Sequence, residues 1–166
     1  MIAEPHFDSV QIVSRLLAAV AAGAAIGIDR EWRHKSAGLR THMLYALASA
    51  AMAIMALEVY LSEIDLGKGD SPDATRVLQG IITGMAFLGA GVIIRGRHNI
   101  HGLTTGAGLW LAGALGLIFG LGLYTLGVIS TLIGVITLTV IQFLEPKDAK
   151  GRHAARRGVD ETFTPD

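Results

Sequence analysis

"LTTGAGLWLAGALGLIFGLGLYTLGVISTLIGVITLTVIQF", residues 103–143, contains no charged residue. As one straight helix its 41 residues would reach about 60 Å, roughly twice the hydrocarbon thickness of a bilayer. The stretch therefore predicts two helices, over 103–121 and 123–143. The turn falls in "GLGLY" (120–124), where Gly120 and Gly122 permit the backbone angles of a tight reversal. Working outward, three more apolar runs lie at 10–28, 43–61 and 77–94. Each is near the roughly 20 residues that span a membrane as a helix. The expected fold is all-α: a polytopic membrane domain of five transmembrane helices over residues 1–145, followed by a disordered tail over 146–166.

The composition agrees. Of 166 residues 51% are hydrophobic, 21 are Gly and none is Cys, and the formal net charge is zero. The lack of Cys excludes disulfides and thiolate metal sites. The zero balance hides segregation, because charges cluster between the apolar runs, so it says nothing about partners. "MIAEPHFDSV" carries Glu4 and Asp8 where a cleavable signal would carry positive charge, so the first run is read as a retained helix.

Charge bias orients the spans. Five spans put Arg30, Arg33, Lys35, Arg40, Arg95, Arg97, Lys147, Lys150, Arg152, Arg156 and Arg157 on one side. The other side receives Lys68 and Arg76, with Arg15 near a helix end. This asymmetry places the N-terminus outside and the C-terminal tail in the cytoplasm. Four spans would set the basic tail beside the acidic loop "SEIDLGKGDSPDATR".

The densest charge is "GIDREWRHKSAGLRTH", residues 27–42. Two arrangements fit it. If the first helix continues, Asp29 faces Arg33 and Glu31 faces Lys35 at i, i+4. Alternatively Gly38 ends the connection, and Asp29 meets Arg40 across the hairpin at the headgroup boundary. The second loop on that side, "RGRHNIHG" (95–102), adds more basic residues, and Thr104 or Thr105 is placed to cap the next helix. His34, His42, His98 and His101 lack the spacing of a metal site. The acids of the other side, Glu63, Asp65, Asp70 and Asp73, lack calcium-loop spacing and read as solvated.

Two charges sit deeper, Arg15 and Glu58, each about 20 Å from the cytoplasmic helix ends. Equal depth and opposite sign suggest an intramembrane pair, with separate snorkelling to the outer surface as the alternative. No ladder of acids crosses the membrane centre. Gln79 and Thr83 are the other notable polar side chains of the third span.

GxxxG occurs at 23–27, 80–84, 102–106 and 116–120, and Gly recurs every seven residues at 106, 113, 120, 127 and 134. Such spacing keeps small residues on one face and lets backbones approach. Gly80, Gly84, Gly106, Gly113 and Gly120 are the candidate packing positions, within one subunit or between the two of a homodimer. No nucleophile–base pair, phosphate loop or cofactor motif appears. A non-enzymatic protein without cofactor or nucleic-acid partner is expected.

The opening cluster together with "QGIITGMAFLGAGVIIRGRHNIHGLTTGAGLWLAGALGL" (79–117) resembles the MgtC/SapB family of bacterial inner-membrane proteins. The similarity covers about residues 10–142. The family pattern of Gly, aliphatic, acid, Arg, Glu, then Ala-Gly-Leu-Arg-Thr-His is matched by Gly27, Ile28, Asp29, Arg30, Glu31, Ala37, Gly38, Leu39, Arg40, Thr41 and His42. Asp29 stands where many members carry Glu. The resemblance implies a role in magnesium limitation and stress survival, as a regulator of another membrane complex such as the F-type ATP synthase and not as a pump. It also favours the ordered cluster, with Asp29, Arg30, Glu31, Arg40, Thr41 and His42 as functional residues and Arg95, Asn99, Thr104 and Thr105 beside them. Longer members carry an extra soluble C-terminal domain, whose functions do not transfer. The rival is a small cation (magnesium) channel or transporter with Arg15, Glu58 and the cluster lining a path, and the lack of central acids disfavours it.

Overall fold

The computed structural model describes residues 6–65, 74–95 and 100–144. They form five helices and one very short hairpin, in the order α1 (Ser9–Trp32), α2 (Leu39–Asp65), α3 (Ala74–Gly91), β1 (Ile94–Arg95), β2 (Ile100–His101), α4 (Leu103–Gly120) and α5 (Tyr124–Leu144). The helices α1, α2 and α4 are long and apolar enough to cross a membrane, and α5 is apolar over Tyr124–Val140. The tail, read as residues 146–166, lies outside the described residues, as do Asp70, Asp73 and Asn99.

The helix ends follow local chemistry. Asp8 caps α1, its carboxylate accepting the Ser9 amide at 2.8 Å. At the other end His34 turns left-handed at φ 49°, and the amides of His34 and Lys35 bond back to the carbonyls of Glu31 and Arg30 at 3.0 and 3.1 Å. That pair of bonds is a Schellman stop. The α4 helix ends the same way: Gly122 takes φ 80°, and Gly122 and Leu123 bond back to Phe119 and Ile118. The reversal expected in "GLGLY" is therefore made by Gly122 alone, while Gly120 stays helical.

The third helix stops three residues short of the expected 94. Val92, Ile93 and Ile94 are β-branched and favour extended backbone, and Ile94 and Arg95 pair antiparallel with His101 and Ile100. The hairpin leaves through Gly102 at φ 88°. Gly102 takes the position before α4, and no side chain caps that helix. The cap expected from Thr104 or Thr105 is absent because both already lie inside the helix.

Packing centres on α2, pressed between α1 and α4, with α5 against α1 and α4 and α3 against α4 and α2. Small residues make this possible. A Cβ on Gly23 would stand 2.6 Å from the His42 carbonyl oxygen, and one on Gly27 2.8 Å from the Leu39 Cα. On α4, Gly116 abuts the Ala46 carbonyl, and a Cβ on Gly120 would come within 2.6 Å of the Ala50 carbonyl. These are backbone contacts, so no side-chain adjustment could relieve them. Ala19, Ala22, Ile26, Ala50, Leu115 and Phe119 fill the core between them.

Gly106 and Gly113 also sit at contacts, against the Gly89 carbonyl and the side chains of Tyr45 and Met85. Gly80 and Gly84 do not. Nothing lies within 4 Å of either Cβ position. The α3 helix turns Met85 and Gly89 to the bundle, which leaves the 80/84 face outward. Phe87 of α3 and Leu132, Ile133 and Ile136 of α5 are exposed, a distribution suited to lipid and not to water.

Candidate functional site

The face of α1 that carries Gly23 and Gly27 continues one turn further to Arg30, since positions i, i+4 and i+7 align on a helix. Arg30 is fully buried. On α2, His42 begins the stripe His42, Ala46, Ser49, Ala50, Ala53 that faces the two glycine surfaces, and it too is fully buried. The α4 helix closes the junction with buried Thr105 and Gly108. A Cβ on Gly108 would lie 3.4 Å from His42 Nε2 and 3.9 Å from Arg30 Cδ. Arg30, His42 and Gly108 thus meet where three helices converge, at the end of the bundle that holds the α1–α2 connection.

The flanking charges have defined roles. Asp29 accepts from Arg33 Nε at 2.7 Å, the i, i+4 pair expected for a continuing helix, and from Arg30 Nη2 at 3.2 Å. Two guanidinium groups therefore share one carboxylate. Glu31 does not pair with Lys35, because the chain leaves the helix at Arg33 and carries Lys35 away. Its carboxylate instead accepts the Leu39 amide at 2.9 Å and so caps α2. A Cβ on Gly38 would collide with that carboxylate, so glycine at 38 is what admits the cap.

The Asp29–Arg40 contact is not made. Arg40 and Thr41 are exposed. Positions 40 and 42 differ by about 200° around a helix, so turning His42 inward turns Arg40 outward. Thr104 is exposed, and Arg95 lies in β1. Of the residues singled out in the sequence, Asp29, Arg30, His42 and Thr105 gather at the junction. Glu31 supports it from the connection.

The junction is incompletely satisfied. Nε and Nη1 of Arg30 and Nε2 of His42 are buried without a hydrogen-bond partner among the described residues. His42 Nδ1 lies 2.8 Å from the Gly38 carbonyl oxygen, which only accepts, so Nδ1 carries the proton. Among the described residues no group of three or more His, Asp or Glu is placed to hold a metal ion.

At the opposite end Arg15 and Glu58 take other partners than each other. Arg15 donates to the Gly120 carbonyl at 3.0 Å and lies 4.2 Å from the centre of the Phe7 ring. Glu58 accepts the amides of His6 and Phe7, each at 3.0 Å, and contacts His6 Nδ1 at 3.0 Å. The segment before α1 folds over the helix ends and separates the two charges. Asp65 reaches His6 Nε2 at 2.8 Å, and the two carboxylates hold the pKa of His6 above its ordinary value, Asp65 contributing most.

The sequence profile of the MgtC family matches residues 16–147. The chain belongs to that family. It is 38% identical over 133 residues to YhiD of Escherichia coli (strain K12), a protein named as a candidate magnesium transporter, covering 80% of this chain and 61% of the relative. SrpB of Synechococcus elongatus is 35% identical over 154 residues, covering 85% of this chain and 80% of SrpB. MgtC of Salmonella typhimurium (strain LT2) is 38% identical over 122 residues, covering 73% of this chain and 48% of that protein. The chain thus spans about half of MgtC and three fifths of YhiD. No solved structure matches it.

Within this family member, Gly108 was not singled out by GxxxG or sevenfold spacing. The signal that finds it is three-dimensional: it sits beside two buried polar groups contributed by other helices.

Proposed function

We propose that this family member is a non-enzymatic regulator in the bacterial inner membrane, linked to magnesium homeostasis and stress adaptation. It crosses the bilayer five times, N-terminus outside, so that the Arg30–His42 junction lies at the cytoplasmic boundary. It acts through that end on another membrane complex, for which the F-type ATP synthase is the candidate. The magnesium link draws on the relatives named above. The observation that carries the regulator reading is the sign of the buried charge. The fully buried ionised side chain at the junction is a guanidinium, which repels a divalent cation. Among the described residues the acids of the helices, Asp29, Glu31, Glu58, Glu63 and Asp65, stand toward helix ends and none at the middle, where an ion path would need them.

The name of the Escherichia coli relative favours a second reading, a magnesium transporter. One experiment separates the two. The protein and its Asp29→Asn and His42→Asn variants are scored for membrane level and for growth at limiting magnesium, and purified protein is assayed for magnesium flux in liposomes. A regulator gives normal levels, lost growth and no flux. Saturable flux abolished by either substitution makes it a transporter. A reporter fused to the C-terminus and active only outside the cytoplasm would reverse the orientation.

A further inference from the structure

The imidazole of His6 is held at both of its nitrogens. Nδ1 lies 3.0 Å from Glu58 Oε2, and Nε2 lies 2.8 Å from Asp65 Oδ2. An ionised carboxylate only accepts, and a neutral ring has one N–H and one lone pair. Either neutral tautomer therefore sets a lone pair against a carboxylate. Only the imidazolium donates to both. The two acids reach one ring because seven residues are nearly two helical turns, which brings Glu58 and Asp65 to the same face of α2.

The ring fastens a short segment. The His6 and Phe7 amides donate to the two oxygens of Glu58, and Asp8 begins α1 by capping it. The Phe7 ring lies against Arg15, whose Nη1 donates to the Gly120 carbonyl at the end of α4. Residues 6–8 thus tie the start of α1 to the last turns of α2 and, through Arg15, to the α4–α5 turn. From α2 the groups facing His6 are Glu58 and Asp65, while Glu63 and Tyr60 lie about 140° and 200° round that helix from Glu58. From α1 comes Arg15, engaged with Phe7 and Gly120, and from the segment itself Asp8, committed to the Ser9 amide. Among the described residues, the α4–α5 turn brings Tyr124, whose hydroxyl meets that of Ser14.

We propose that residues 6–8 form a pH-released strap across the end of the bundle where α1 begins: an imidazolium at His6 closes it, and loss of that proton opens it. While Glu58 and Asp65 are ionised and the ring is charged, both ring bonds are made. Once the ring is neutral, one of the two contacts turns into a lone pair facing a carboxylate, and the strap loses a fastening. The two carboxylates raise the His6 pKa above its ordinary 6.5, Asp65 most, so the strap is firm below that value and loosens as pH climbs past neutral. Acidity tightens this end and alkalinity frees it. That the pH sensed is the one outside the cytoplasm rests on the proposed orientation. A reversed orientation would change the side that is sensed and leave the strap itself untouched.

The test uses the full chain in nanodiscs of zwitterionic lipid. Exchange of the His6 and Phe7 amides with solvent is followed by NMR between about pH 5.5 and 8.5, on either side of the ordinary histidine value. Each rate is compared with the intrinsic rate at the same pH. Protection should fall about tenfold across the range, the loss of one charge-assisted hydrogen bond. The ring nitrogens of His6 should both carry protons where protection is high. His6→Gln has no proton to lose and should give a lower protection that ignores pH. Asp65→Asn should keep the strap closed and erase the step, because its amide turns either an oxygen or an NH2 toward Nε2. Protection independent of pH in the wild type overturns the proposal. So does a step that survives His6→Gln or Asp65→Asn, or a His6 ring found neutral where protection is highest.

Discussion

The two ends of the bundle treat their charges in opposite ways. At the end where α1 begins, Glu58 holds two backbone amides and His6, while Arg15 holds a carbonyl and an aromatic ring. Each of these groups is only partly buried and each is matched. At the end where α1 stops, Arg30 is wholly buried, shares a carboxylate with Arg33 and has two nitrogens unmatched among the described residues. The first arrangement is what charges do when they fasten a fold. The second costs stability, because desolvation of a buried ion exceeds what a shared partner returns. The difference separates charges that hold the structure from a charge that the structure holds at a cost.

Both ends depend on the same glycine contacts, and breaking those contacts gives the largest expected effect. Gly27→Leu and Gly120→Leu place side chains against the α2 backbone, and each should destabilise by on the order of 3 kcal/mol. Gly80→Leu, on the open face of α3, should change stability by less than about 0.5 kcal/mol. Denaturant unfolding in detergent measures all three. A tolerated Gly120→Leu would mean that the ends are not held by close approach. A destabilised Gly80→Leu would reveal a second copy packed on α3.

Glu58→Gln comes next. The two backbone amides donate to separate oxygens of Glu58, so the Gln amide accepts only one of them and sets its NH2 against the other, a cost of about 1–2 kcal/mol. The segment before Ser9 should then be cut sooner by added protease. Unchanged cleavage would show that the strap is held by other contacts and would blur the contrast between the ends.

The smallest effect is titration of His6. Its pKa is raised in the folded chain by Asp65 and Glu58, so its contribution is fully present below the unfolded value near 6.5. It is lost as pH rises through the higher folded value. The thermal midpoint should therefore fall modestly above neutral pH in the wild type, and His6→Gln should flatten that limb.

Much of this was legible in the sequence. The uncharged run 103–143 required two helices and a turn, because hydrocarbon thickness is fixed. The sevenfold glycines marked α4 contacts for the same reason that GxxxG does. The pairing of Asp29 with Arg33 followed from helix spacing. Other readings failed through tertiary placement. Arg40 was placed opposite the end of α1 by the hairpin and favoured by the family resemblance, but helix phase turned it outward and His42 inward. Arg15 and Glu58 matched in depth, yet residues 6 and 7 supplied nearer partners. Gly80 and Gly84 carry the packing motif on a face that a single chain leaves open, so of the two arrangements expected for them only packing between subunits stands. The burial of Arg30 was present in the sequence as its alignment with Gly23 and Gly27, a phase relation that charge counting does not detect.

The central claim is that Arg30 is kept for function at the expense of stability, and Arg30→Met tests it most directly. The measurement is the unfolding free energy of the full chain, alongside membrane level and growth at limiting magnesium. Met fills much of the same volume without a charge to desolvate, and Asp29 keeps Arg33. The expected result is an unfolding free energy unchanged or raised by up to a few kcal/mol, as for other buried ions replaced by apolar side chains, with normal membrane level and lost growth. A protein destabilised by roughly 3–5 kcal/mol, as when a needed buried partner is removed, would make Arg30 a structural residue and contradict the account.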